Sequence, residues 1–146
     1  MGRVLQRWRE LDAHDRLRLG GCVLGLWCVH AGLALFGYQR TRRMIERAST
    51  QTSTRAATTA ELTDAQSLAR LAASAGRNAM GEQTCLRRSL LLYGWLRRRG
   101  LQPALQFGVP RQQAGTGFEA HAWIELDGIR LLPGDEGYLP FGAAMP

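Results

Sequence analysis

Hydrophobic residues dominate one continuous stretch near the N-terminus, from Leu19 to Tyr38. These 20 residues are about the length needed to cross a bilayer, and arginines flank them on both sides. Glycines and His30 weaken the apolar character, and the arginines give no clear orientation bias. The stretch therefore predicts apolar helices that are buried in the protein or covered by a partner, with membrane contact through residues 19–38 as the alternative.

A polar stretch follows and divides the chain. Seven of the thirteen residues from Ala48 to Ala60 are Ser or Thr, a composition typical of a linker. Thr63 and Gln66 then have the spacing of a capping box, which predicts a helix that starts there and stops near Gly76. We expect a helical region over residues 1–47, a linker over 48–60 and a folded domain over 61–146.

The C-terminal half predicts a helix that leads into an antiparallel sheet. Residues Cys85 to Arg99 have apolar positions at helical spacing, and Gly100 follows as a helix stop. A strand is predicted from Pro103, and a second strand from Phe118 to Leu126 alternates apolar and polar positions before an Asp-Gly hairpin signal. This order of elements indicates an α+β fold.

The net charge is +7, from 19 basic and 12 acidic residues, and every basic residue is Arg. A solvated basic surface explains this charge, and a surface for an acidic peptide is the alternative. Nucleic acid is not expected, because no zinc-finger or RNA-reading signature accompanies the charge. Three cysteines cannot pair completely, which indicates a reducing compartment such as the cytoplasm. No metal or other cofactor is expected from the Cys and His spacing.

Cys85 and His121 form the candidate for chemistry. Cys85 lies in the first turn of a predicted helix, where free amides and the helix dipole favour a thiolate. His121 occupies the polar register of the second strand, 36 residues later. A small buried cysteine and a structural histidine are the ordinary alternatives. Together the two residues supply the nucleophile and the proton carrier of a thiol acyl-transfer enzyme.

A third group should orient the imidazole. Asp127 is six positions from His121, about 20 Å along an extended strand, which is too far. Asp135 comes within reach if the hairpin turn has three residues with a bulge, whereas a strict two-residue turn would send it to the wrong side. Glu119 is the reserve candidate on the face of His121.

The blocks around both residues resemble a known family. These blocks are Cys85-Leu86-Arg87-Arg88-Ser89-Leu90, Leu96-Arg97-Arg98-Arg99-Gly100-Leu101, Phe107-Gly108-Val109 and Gly117-Phe118-Glu119-Ala120-His121-Ala122-Trp123. Over about residues 62–146 they are similar to the lasso-peptide leader peptidases, a transglutaminase-like branch of the papain-type cysteine enzymes. The Cys-Leu-x-Arg-Ser-Leu and Ala-His-Ala-Trp blocks carry the resemblance.

The resemblance implies a cysteine peptidase that removes the leader from a ribosomally made lasso-peptide precursor. Cys85 would be the nucleophile, His121 the base and then the acid, and an Asp on the following strand, assigned to Asp135, the orienting group. In the family this Asp falls nearer to the His, where this chain has Pro133. Implied partners are the precursor peptide, a stand-alone leader-recognition protein and the lasso cyclase, with dependence on ATP left open.

Two weaker site residues complete the prediction. The backbone amide of Cys85 is a natural oxyanion donor, and Gln83 or Asn78 would supply the second donor. Trp123 lies on the face of His121, where it either shields the site from water or only packs as a large ring. Cys22, like Cys28, is expected to be inert filling in the apolar stretch.

Three other functions fit the same residues. One is an acyl transferase that uses the Cys-His pair on a glutamine or another amide. Another is a peptide-binding subunit without catalysis. The third is a small basic membrane-associated protein, which would follow if the apolar stretch spans a bilayer.

Overall fold

The computed structural model describes residues 12–49, 55–80, 85–111, 120–132 and 135–141. These residues form helices α1 (Ala13–Ala48), α2 (Thr59–Met80) and α3 (Cys85–Arg98). The strands are β1 (Pro103–Pro110), β2 (His121–Leu126), β3 (Ile129–Arg130) and β4 (Tyr138–Pro140), and a short 3-10 helix, Asp135–Gly137, precedes β4. Helix α3 lies between the sheet and the other two helices, since it contacts β1 and β2 as well as α1 and α2.

Helix α1 is interrupted at Gly37 and forms two arms. Gly37 has φ 72° and ψ 174°, a backbone conformation that glycine adopts without the penalty that a side chain would bring. A Cβ atom at Gly32 would lie 3.1 Å from the Thr41 methyl group, a proximity that a straight helix does not allow for residues nine apart. The first arm (residues 13–36) therefore folds back beside the second arm (residues 38–48). The prediction of a buried helix pair within residues 19–38 is wrong, because the stretch forms one helix up to the reversal at Gly37 and the second arm consists mainly of the residues that follow it.

One face of the first arm belongs to the hydrophobic core. Leu19, Cys22, Leu26 and Val29 are buried and form one cluster with side chains of α2, α3 and the sheet. The first arm thus packs on the helices and the sheet that follow it. The predicted division at residues 48–60 stays a prediction, and Thr59 already belongs to α2.

The predicted start of α2 is wrong: the cap is Thr58 instead of Thr63, five residues earlier. The helix begins at Thr59, and Thr58 and Glu61 form the capping box: the Thr58 amide donates to Glu61 at 2.8 Å, and the Glu61 amide donates to Thr58 Oγ1 at 3.3 Å. A carboxylate is a stronger partner for free amides than the Gln66 amide would be. The helix also continues past Gly76 to Met80, with Gly76 buried in the packing surface.

The end of α3 agrees with its prediction. Gly100 has φ 77°, and the Leu101 amide donates to the Leu96 carbonyl at 3.1 Å. This is the Schellman motif, in which glycine takes the left-handed position and the last carbonyls of the helix find partners.

The sheet has the antiparallel order β3-β2-β1-β4. Asp127 and Gly128 both have positive φ, 51° and 77°, and Leu126 pairs with Ile129, so the hairpin turn is a strict two-residue turn. The bulged register that would have carried Asp135 to His121 is therefore wrong. The Leu131 amide still donates to the Ile124 carbonyl of β2 at 3.2 Å, and β4 then pairs with β1 at the far edge of the sheet.

Candidate functional site

The site lies at the seam between the start of α3 and the start of β2. Cys85 is the first residue of α3 and is half-buried, and His121 is the first residue of β2. A hydrogen bond joins the His121 side chain to the Cys85 sulfur. The structure thus brings together the two residues that the sequence identified.

This environment lowers the pKa of the Cys85 thiol to about 7. The hydrogen bond from His121 is the main cause, and burial of the sulfur opposes it. The backbone amides of Ala122 and Leu86 also hydrogen-bond to the sulfur and favour the thiolate. A thiol with this pKa is about half ionised near neutral pH, whereas an ordinary thiol is almost fully protonated there.

Ser89 holds the helix to the strand next to the site. Its side chain is only 1% exposed, and its hydroxyl donates to the Ala122 carbonyl at 3.0 Å. Ser89 follows Cys85 by four residues, so both side chains lie on the same face of α3. One face of α3 therefore makes two hydrogen bonds to Ala122 of β2. The Ala122 amide donates to the Cys85 sulfur, and the Ser89 hydroxyl donates to the Ala122 carbonyl. The sequence interpretation gave Ser89 no role, although its four-residue spacing from Cys85 was a usable signal.

Two aromatic rings flank the His121 imidazole. Tyr138 stacks on it with ring centroids 4.2 Å apart and planes at 24°, and Trp123 lies 6.1 Å away at 18°. Tyr138 begins β4, a strand that no sequence pattern predicted, and it reaches His121 across β1. These rings restrict how far the imidazole can rotate.

Trp123 is packed and not exposed. Its side chain is 1% exposed, its indole N–H donates to Glu125 at 2.8 Å, and the Arg130 guanidinium lies 4.7 Å from its ring centroid. Gly108, opposite His121 in β1, makes room for the indole, since a Cβ atom there would lie 2.7 Å from Trp123 Cη2. Packing is thus established for Trp123, and its role in shielding the site stays a prediction.

Arg130 connects the β3 edge of the sheet to β4. Both terminal nitrogens of its guanidinium donate to the Tyr138 carbonyl, at 3.1 and 3.2 Å, and Nε lies 3.4 Å from Glu125. A planar fork with this geometry fixes direction as well as distance. Arg130 therefore holds in place the residue that stacks on His121.

The orienting group stays a prediction. Asp127 lies at the far end of β2 and accepts a hydrogen bond from the Ala57 amide at 2.6 Å, as the distance argument against it required. Asp135 begins the 3-10 helix before β4, three residues ahead of Tyr138, and its side chain lies outside the described part of the chain. Glu119 also lies outside that part.

The remaining predicted residues lie elsewhere or are not described. Gln83 lies outside the described residues. Asn78 is exposed, and its side chain donates to the Ser74 carbonyl of its own helix at 2.8 Å. Cys22 is buried as predicted, but Cys28 is exposed, so its interpretation as filling is wrong. Within the described ranges, no group of three or more His, Cys, Asp or Glu residues is placed to hold a metal ion.

Comparison with known proteins gives one match. The family model described as the transglutaminase-like superfamily matches residues 26–145. No curated protein and no solved structure matches the chain. The matched region starts in the first arm of α1, includes Cys85 and His121, and extends over the helix-plus-antiparallel-sheet architecture described above. Because the match covers most of its length, the chain belongs to the transglutaminase-like superfamily.

Proposed function

We propose that the protein is a cysteine peptidase that removes the leader from a lasso-peptide precursor. The observation that supports it most is the hydrogen-bonded pair of Cys85 and His121, with a thiol pKa of about 7. Superfamily membership supports thiol chemistry in the general sense. The leader as substrate rests on the motif resemblance around both residues.

The first half of the reaction uses Cys85 as nucleophile. Its thiolate attacks the scissile carbonyl carbon, the C–S bond forms, and the carbonyl oxygen becomes an oxyanion. His121, which has taken the proton of the Cys85 thiol, then donates it to the leaving amine as the C–N bond breaks. The released amine is the new N-terminus of the core peptide, and the leader remains on the enzyme as a thioester.

The second half uses water. His121 takes a proton from water, the resulting hydroxide attacks the thioester carbonyl, and the thiolate leaves as the leader acid is released. Both tetrahedral intermediates need donors for their oxyanion. The amide of Cys85 at the start of α3 and the side chain of Gln83 are the proposed donors. Asp135 stays the proposed orienting group although the hairpin register does not carry it to His121, because the resemblance assigns it and it lies three residues ahead of Tyr138, which stacks on His121.

The proposed location of the protein is the cytoplasm, where it would also associate with the membrane surface. The partners would be the precursor peptide, a stand-alone leader-recognition protein that presents the leader, and the lasso cyclase that consumes the freed amine. No metal or cofactor takes part in the proposed steps, and dependence on ATP is left open. An acidic leader would complement the arginine-rich chain, whose net charge is +7.

The experiment incubates the purified chain with a synthetic precursor and the leader-recognition protein, and follows cleavage by mass spectrometry. We expect Cys85→Ala and His121→Ala each to abolish cleavage, because each removes one of the two reacting groups. Asp127→Ala is the matched control and should cleave like the unaltered chain, since Asp127 lies at the far end of β2. Cleavage that survives Cys85→Ala would contradict the proposal.

The same superfamily membership favours a second candidate, transfer of the acyl group to an amine in place of water. Adding a glutamine-containing acyl donor and a primary amine to the assay separates the two reactions. A peptide product that carries the amine, with no free leader acid, would identify the protein as an acyl transferase.

A further inference from the structure

The first arm of α1 presents an apolar face to solvent. Leu17, Leu24, Trp27 and Leu35 are 77%, 68%, 50% and 73% exposed, and Cys28 is also exposed. At helical spacing these residues lie on one side, opposite the buried Leu19, Cys22, Leu26 and Val29. We call the exposed side the apolar face. It runs for about 27 Å along the arm, from Leu17 to Leu35.

The sequence around this face is uncharged over a long distance. No Asp, Glu, Lys or Arg occurs between Arg18 and Arg40, and an 18-residue window of α1 has a mean hydropathy of 1.8 with only 22% of it buried. An uncharged face of this length exceeds what a soluble monomer usually exposes. Some apolar environment outside the chain should therefore cover it.

We propose that the apolar face lies flat in the surface of an anionic lipid bilayer. Crossing the bilayer is disfavoured by the fold, because the arm would have to leave α2 and α3 and expose Leu19, Cys22 and Leu26 to do so. The reversal at Gly37 also ends the arm there. A helix that packs one face against its domain and inserts the other face at the boundary between headgroups and acyl chains satisfies both constraints.

Two features favour lipid over a protein partner. Trp27 lies at the flank of the apolar face, with its ring edge-on to His30 at 5.7 Å, which is where an indole meets the headgroups when a helix lies flat. The second arm then presents Arg40, Arg43 and Arg47 on one exposed side within three turns of Gly37, and arginines at this position attract anionic headgroups. A protein interface usually makes about one direct hydrogen bond per 100–200 Å², whereas the apolar face has no charged side chain between Arg18 and Arg40.

The test is sedimentation with vesicles of phosphatidylcholine, with and without phosphatidylglycerol. We expect the chain to sediment with the anionic vesicles, and Leu24→Glu with Leu35→Glu to lower the partition coefficient at least about tenfold. Ile129→Glu is the matched control, because Ile129 is 44% exposed and lies in the β2–β3 hairpin. Since all three positions are exposed, urea unfolding should show that the variants remain folded.

Four results would overturn the proposal. Two of them are equal sedimentation with and without anionic lipid and no effect of the double substitution on sedimentation. A third is that alkaline carbonate fails to extract the bound chain from the vesicles, which would indicate a spanning helix. The fourth is a dimer, observed by analytical ultracentrifugation without lipid, that the double substitution dissociates; the apolar face would then bind a second copy. Cleavage chemistry at Cys85 does not use this face, so the outcome is independent of the proposed function.

Discussion

Replacing His121 with Ala should raise the pKa of the Cys85 thiol. The His121 hydrogen bond is the main cause of the low pKa of about 7. Without it, burial of the sulfur opposes the two remaining amide hydrogen bonds, and the pKa should return to near the ordinary value of about 8.5–9. A pKa near 9 would lower the thiolate fraction at pH 7 from about one half to about one hundredth.

The rate of alkylation will fall by less than the thiolate fraction does. A thiolate with a higher pKa is a stronger nucleophile, with a Brønsted coefficient of about 0.4–0.5. A rise of two pKa units therefore makes the remaining thiolate about 6–10 times more reactive. This gain offsets part of the loss of thiolate, and we expect alkylation at pH 7 to slow by about 5–8-fold. The midpoint of the pH–rate curve is the cleaner measurement, because it moves with the pKa alone.

The assay follows iodoacetamide labelling of Cys85 between pH 5 and 10 in a Cys28→Ser background. That background removes the exposed second thiol, whereas Cys22 is buried. Labelling should rise with pH through a midpoint of about 7 in the unaltered site, because the thiolate forms as the thiol loses its proton. His30→Ala is the matched control and should keep this midpoint. A midpoint that stays near 7 in His121→Ala would show that the amides alone stabilise the thiolate.

Two further substitutions test how the site is held. Ser89→Ala should destabilise the fold by about 1–3 kcal/mol in urea unfolding, because it leaves the buried Ala122 carbonyl without this donor. Thr63→Ala, at an exposed position, serves as the control. Equal stability of the two variants would contradict a positioning role for Ser89. Gly108→Ala should cost about 1–3 kcal/mol because its Cβ would collide with Trp123 and with the Leu139 backbone. Gly20→Ala, where a Cβ meets nothing within 4 Å, should be neutral or stabilising, and a harmless Gly108→Ala would refute the packing interpretation.

Local patterns were enough to identify the main elements and to single out Cys85 and His121. The helix that begins at Cys85 and ends at Gly100 follows from apolar spacing and a left-handed glycine, both of which act within a few residues. The alternation around His121 likewise predicted which side of β2 carries the imidazole.

Competing local signals caused the errors in the helical region. Two capping-box patterns follow one another, Thr58–Glu61 and Thr63–Gln66, and the first, which has the carboxylate of Glu61, begins the helix. Gly76 resembles a stop signal, but close packing inside the helical layer retains it in the helix. The reversal at Gly37 was equally ambiguous, because several glycines in the apolar stretch could have ended the arm.

By itself, the sequence determined the α+β class, the apolar N-terminal helical region, the helix start at Cys85 and the polar register of His121, since each depends on periodicity or turn chemistry within a short segment. Only the tertiary structure decided that β4 pairs with β1 and brings Tyr138 onto His121. It also decided that Ser89 bonds to Ala122, 33 residues away, and that one face of the first arm stays exposed. The physical reason is that strand order and side-chain stacking depend on pairing free energies between segments far apart in the chain, which no local pattern encodes.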